Sequence, residues 1–97
     1  RKLRKGDWSI QRQLDLHGLR SEEARTALTT FIRDACQQGI RCVRIVHGKG
    51  LRSGQRGPVL KQTVNALLRR VGAVVAFHSA RQVDGGTGAV YVLLAGK

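Results

Sequence analysis

Apolar residues change their spacing along the chain, and each change marks an element. Leu14-Asp15-Leu16-His17 alternates apolar and polar before Gly18, the period of a short half-buried strand over residues 14–17. From residue 21 the period lengthens, with Ala24, Leu28, Phe31, Ile32 and Ala35 recurring at helical spacing. Ser21 offers an N-cap oxygen, and Glu22 and Glu23 suit the positive end of a helix that should run to about Gln38. Gly39 supplies a left-handed stop, and the β-rich stretch 40–46 reads as a second strand. A loop over 47–57 holds four glycines and three cationic residues. Pro58 then suits a first helical turn, and Leu60, Val64, Leu67, Leu68 and Val71 form an apolar stripe that Gly72 ends. Residues 73–78 form a third strand, and the polar stretch 79–87 leads into a fourth at 89–95.

The order β-α-β-α-β-β places the chain in the α/β class, with a four-stranded mixed sheet carrying both helices on one face. Alternating strands and helices imply parallel strands with right-handed crossovers, and the short last connection implies an antiparallel hairpin. His17, His47 and His78 then all lie at carboxyl ends of strands, beside the loop that enters strand four. That is the edge where open α/β sheets bind ligands. Residues 14–97 are expected to form a single domain. Residues 1–13, RKLRKGDWSIQRQ, read as a basic arm or linker, the alternative being a strap anchored by Trp8 and Ile10.

Charge narrows the function. Eighteen Lys and Arg against six Asp and Glu leave a net charge of +12 on 97 residues, and arginine outnumbers lysine thirteen to five. Such a field attracts polyanions, and the guanidinium fork suits phosphate, so nucleic acid is the expected partner. Anionic lipid is disfavoured, because no basic amphipathic helix with exposed aromatics is visible. The aromatics Trp8, Phe31, Phe77 and Tyr91 are few and the last three sit at core positions, which argues against a stacking platform for single strands. No apolar run approaches the ~20 residues of a membrane helix, so a cytoplasmic protein without membrane association is expected. Cys36 and Cys42 fall in different elements without metal or redox spacing, and read as reduced core residues. The chain has no methionine and starts at Arg1, which suggests a domain cut from a longer protein, and a monomer is expected.

Three motifs carry candidate chemistry. Asp15-x-His17 puts an acid and an imidazole on one face of a strand, able to move protons, offer ligands to a metal or grip phosphate; a hydrogen-bonded turn is the purely structural alternative. His47-Gly48-Lys49-Gly50 has the glycines and the cation of a phosphate-binding loop, although a nucleoside-triphosphate loop is excluded by its spacing. Arg52 and Arg56 extend that track. Gly85-Gly86-Thr87-Gly88, with Arg81 nearby, is its counterpart before strand four. For both loops a plain turn is the structural alternative. His78 is left outside the site.

Together Leu-Asp-Leu-His-Gly at 14–18, Val-His-Gly-Lys-Gly at 46–50 and Gly-Gly-Thr-Gly-Ala-Val-Tyr-Val-Leu-Leu at 85–94 resemble the Smr, or small MutS-related, domain. The resemblance spans about residues 13–95. It implies an α/β two-layer sandwich similar to the C-terminal domain of translation initiation factor three, and a nuclease that nicks DNA or cleaves RNA. Asp15 and His17 match the family's acid-x-histidine element, His47 to Gly50 its His-Gly-x-Gly loop, and Gly85, Gly86 and Gly88 its late glycine loop. Asp84 departs from the pattern, since many relatives carry histidine before that glycine pair, and an acid there weakens local phosphate attraction.

The expected activity is phosphodiester cleavage. Asp15, His17 and His47 would be the catalytic residues, with Gly48, Lys49, Gly50, Arg52, Arg56, Arg81, Gly85, Gly86 and Gly88 holding nucleic acid. RNA brings its own 2′-hydroxyl nucleophile and needs no metal. DNA needs an activated water, for which a divalent metal such as magnesium is the natural supplier. Asp15 is the only strand carboxylate near the centre, with Asp84 a loop candidate, so a two-metal cage is poorly supplied and no dedicated metal site is assigned. Two rivals are a non-catalytic nucleic-acid- or ribosome-binding module that delivers a partner domain, and an anion-binding metabolic enzyme with a closed apolar pocket.

Overall fold

The computed structural model describes residues 9–48, 57–79 and 88–95. The elements are β1 (Arg12–Asp15), α1 (Ser21–Gln37), β2 (Cys42–Val46), α2 (Gly57–Arg70), β3 (Val74–Ser79) and β4 (Ala89–Leu94), the expected β-α-β-α-β-β order. Strand one differs in its bounds, beginning two residues before the expected Leu14 and ending at Asp15. Its start is extended by Gln11, whose N–H reaches the Cys42 carbonyl at 2.9 Å and whose side-chain oxygen accepts from the N–H groups of Arg41 and Cys42.

The four strands form one mixed sheet in the order β1-β2-β4-β3. β1 pairs parallel with β2, while β4 runs antiparallel to both β2 and β3. Strands one to three therefore point the same way, as expected, but β4 stands between β2 and β3. Composition explains the placement. β4 reads AVYVLL and is buried on both faces, which suits a central strand. β1 carries exposed Arg12, Gln13 and Asp15, and β3 carries exposed Val75, His78 and Ser79, the residues of edge strands.

Both helices cover one face. Val43, Ile45, Val90, Val92 and Leu94 from the sheet pack with Leu28 and Ile32 of α1 and Leu60, Val64 and Leu68 of α2 in one core. Burying each large side chain stabilises the fold by about 1.5–3 kcal/mol. Alternate residues face the other way, where Cys42, Ala89 and Tyr91 form a smaller buried cluster. Both cysteines are free; Cys42 is buried, which pushes its thiol pKa up, and Cys36 is half-buried against the helical core.

The start of α1 corrects the expected cap. The turn in which Leu19 N–H reaches the Leu16 carbonyl delivers an extended Arg20, so the Arg20 carbonyl accepts the first helical bond, from Ala24. Glu23 accepts from the Arg20 N–H at 2.9 Å, half of a capping box. Ser21 is thus inside the helix, and its hydroxyl meets that of Thr63 on α2. The other end follows the sequence: Gly39, at a φ of +77°, and Ile40 return their N–H groups to the carbonyls of Cys36 and Ala35, a Schellman stop. Among the described residues no helix is long and apolar enough to cross a membrane.

Candidate functional site

Asp15 closes β1, and Leu16, fully buried, continues the pairing by donating to the Val46 carbonyl at 2.7 Å. That anchor holds a polar residue on either side of it. The expected strand geometry for Asp15 and His17 gives way to a turn, because the chain leaves the sheet after Leu16 and His17 begins the turn. Asp15 Oδ1 accepts from the His17 backbone N–H at 3.0 Å and from the ring Nδ1 at 2.6 Å. A carboxylate only accepts, so Nδ1 carries the proton and Nε2 is left to exchange one with a ligand. Both side chains are open to solvent, His17 at 71% and Asp15 at 49%. Burial alone would raise the Asp15 pKa, but the two hydrogen bonds from His17, with the charges of His17 and Arg44, bring it below its ordinary value.

The end of β2 is tied to β4 at the same edge. The Gly88 carbonyl accepts from the N–H groups of His47 and Gly48, each at 3.0 Å. Gly48 turns with a φ of +87°, and a Cβ built on it would lie 3.5 Å from the Cβ of His17. The structure thus brings Asp15, His17, Gly48 and Gly88 together across three strands, as expected from the sequence.

The imidazole of His47 has a different setting. It is 3% exposed and lines a pocket of about 250 Å³ with Lys61, Asn65, Phe77, Ser79 and Val90, between the ends of β2 and β3 and the side of α2. Its Nδ1 donates to the Gly48 carbonyl at 2.9 Å. Burial lowers its pKa and nearby Lys61 adds to that, outweighing the bond to Gly48. The ring is therefore neutral at neutral pH, with its lone pair on Nε2. His78 borders the same pocket and donates from Nδ1 to the Ser79 carbonyl at 2.9 Å.

Lys49, Gly50, Arg52, Arg56, Arg81, Gly85 and Gly86 lie outside the described residues. Lys61 and Asn65 were missed by sequence reasoning, which saw only the apolar stripe of α2. Their separation of four residues, beside Leu60 and Val64, is the signal that puts both on one flank of the helix. Among the described residues no group of three or more His, Cys, Asp or Glu is placed to hold a metal ion.

A family model for the Smr domain matches residues 14–95. The chain is 37% identical to the ribosome rescue factor SmrB of Tolumonas auensis over 94 residues, 97% of this chain and 51% of that protein. It is 36% identical to SmrB of Escherichia coli over the same length, 48% of that protein. The chain thus spans about half the length of these curated relatives. Among solved structures it is similar to YdaL, a stand-alone small MutS-related protein from Escherichia coli, with a TM-score of 0.86 at 35% identity, covering 97% of this chain and 72% of that one. It is also similar to the Smr domain of Thermus thermophilus MutS2, with a TM-score of 0.77 at 31% identity, covering 87% of this chain and 98% of that one. Carried by three ordered motifs and by this shared architecture, the chain belongs to the Smr domain family.

Proposed function

We propose that this domain is an endonuclease that cleaves phosphodiester bonds, with RNA as its substrate and the Asp15–His17 pair as its proton-handling group. The carrying observation is the 2.6 Å contact between His17 Nδ1 and Asp15 Oδ1 at an open strand edge. A carboxylate on Nδ1 fixes the tautomer and stabilises the imidazolium that forms when Nε2 takes a proton. The curated relatives are named ribosome rescue factors, which favours RNA and a ribosomal setting in the cytoplasm.

On RNA the chemistry balances without a further nucleophile. His17 Nε2 removes the 2′-hydroxyl proton, the 2′-oxygen bonds to phosphorus, and the 5′-oxygen leaves and takes a proton from solvent. The products are a 2′,3′-cyclic phosphate and a 5′-hydroxyl. Lys49, Arg52 and Arg81, with the amides of the glycine motifs, supply the positive charge that offsets the charge growing on the phosphate. On DNA the attacking oxygen must come from water, and a divalent metal such as magnesium would activate it.

A second reading is favoured by the +12 charge and the relatives' names: a non-catalytic module that docks on ribosomal or other nucleic acid. End-labelled RNA incubated with wild type, Asp15→Asn and His17→Ala separates the two. Cleavage that leaves a cyclic phosphate, and falls about 10²-fold or more in both variants with binding retained, is expected. RNA bound by the wild-type chain but never cut would support the docking module instead.

A further inference from the structure

The pocket around His47 is not used by the proton chemistry of Asp15 and His17. Its polar groups are set for a ligand. His47 lines the pocket and is 3% exposed, and with its Nδ1 committed to the Gly48 carbonyl the Nε2 lone pair is the ring's remaining polar site. Among the described residues Nε2 of His47 and the side chains of Lys61 and Asn65 have no hydrogen-bond partner. Buried polar groups are ordinarily paired, so the buried His47 acceptor, with the half-buried Lys61 and Asn65 donors lining the same pocket, points to a partner that supplies both kinds of group.

The chemistry of the lining selects among ligands. A phosphodiester offers only acceptors, which leaves the Nε2 lone pair unsatisfied. A ribose supplies hydroxyls but no flat surface for the ring of Phe77, which forms an apolar wall. Drug-sized ligands occupy pockets of roughly 300–1,000 Å³, so about 250 Å³ suits one smaller, single ring system. A nucleobase is flat, of that size, and carries donors and acceptors on one edge.

We propose that this pocket is a nucleobase subsite selective for a lactam edge, in which a ring N–H adjoins a carbonyl, as in guanine and uracil. The base N–H donates to His47 Nε2, its carbonyl accepts from Lys61 or the Asn65 amide, and Phe77 packs on its face. His47 is adjacent in the chain to Gly48, whose turn lies beside His17, so a base held here belongs to a nucleotide at the cleavage edge. The subsite deepens the nucleic-acid reading above and assigns it a base preference. His47 then acts as a recognition group rather than as a second proton carrier.

Two isosteric pairs of bases differ only in that edge: uracil against cytosine, and hypoxanthine against adenine. Fluorescence anisotropy with labelled hexauridylate, hexacytidylate, hexainosinate and hexaadenylate tests it on the full 97-residue chain. The uracil and hypoxanthine oligomers are expected to bind at least about fivefold tighter than their partners. Asn65→Leu and Lys61→Met should collapse that ratio, with His47→Gln as a third variant, and a circular-dichroism melt confirms that each is folded. Asp15→Asn should leave the ratio unchanged. Equal affinity for all four oligomers, a preference that survives all three pocket variants, or a uniform loss without change of ratio would each overturn the proposal. The readout is binding, so a lactam preference in a chain that never cuts RNA would sink the nuclease reading and leave the subsite standing.

Discussion

Gly48 turns directly against His17: its φ is +87°, and a Cβ added to it would meet the His17 Cβ at 3.5 Å. That separation is ordinary van der Waals contact, so the cost of a side chain here comes from the backbone angle. An L-residue in this region costs about 1–2 kcal/mol. Gly48→Ala is therefore expected to lower the unfolding free energy by about that amount in urea titrations. It should also depress RNA cleavage, because relief of the angle shifts the backbone that lies beside His17. Unchanged stability together with unchanged cleavage would show that this turn is not what sets the edge.

The meeting of these residues was legible in the sequence because it depends only on strand direction. Once β1 and β2 run parallel, Asp15 and Val46 come into register and the motifs that follow them must adjoin. The sheet order was not legible, since a short hairpin between β3 and β4 fixes their pairing and says nothing about which of them faces β2. The unbroken apolar run of β4 contained that information, as a strand buried on both faces belongs in the centre. The setting of His47 was hidden for another reason. A histidine next to a glycine-rich loop reads as exposed, whereas its burial comes from α2 and β3, remote in the chain.

Acid sensitivity should divide between two groups. His47 has its pKa lowered from 6.5, so below that value the unfolded chain binds a proton before the folded one does. Its contribution to stability is complete above 6.5 and is lost as pH falls toward the depressed folded value. Asp15 is likewise lowered from 3.8, so its contribution is complete above 3.8 and is lost in more acid solution. Unfolding free energies measured along the acid limb should decline in two separable stages. His47→Asn should flatten the first and leave the second, and a first stage that persists in this variant would place its origin elsewhere.

Burial also predicts a contrast between two aliphatic residues of the same sheet. Ile45 is fully buried in β2 beneath both helices, whereas Val75 on the edge strand β3 is 60% exposed. Ile45→Ala should cost about 2–5 kcal/mol, a large part of the roughly 5–15 kcal/mol that holds an ordinary domain together. Val75→Ala should stay within about 0.5 kcal/mol. Similar midpoints for the two variants in urea would contradict the layering of the sheet.

Salt dependence separates charge from recognition. With a net charge of +12, binding to single-stranded RNA should release counterions, so that the logarithm of affinity falls linearly with the logarithm of salt concentration. The slope is about 0.7 for each phosphate neutralised on a single strand. Lys49→Ala and Arg52→Ala remove cations that the sequence places within and just after the His-Gly-x-Gly motif, and each should shallow the slope by about that amount. Asn65→Leu removes no charge, so it should change the ratio between bases at every salt concentration and leave the slope intact. A flat response in the wild-type chain would mean that phosphate contacts do not drive binding, and the basic surface would then need another explanation.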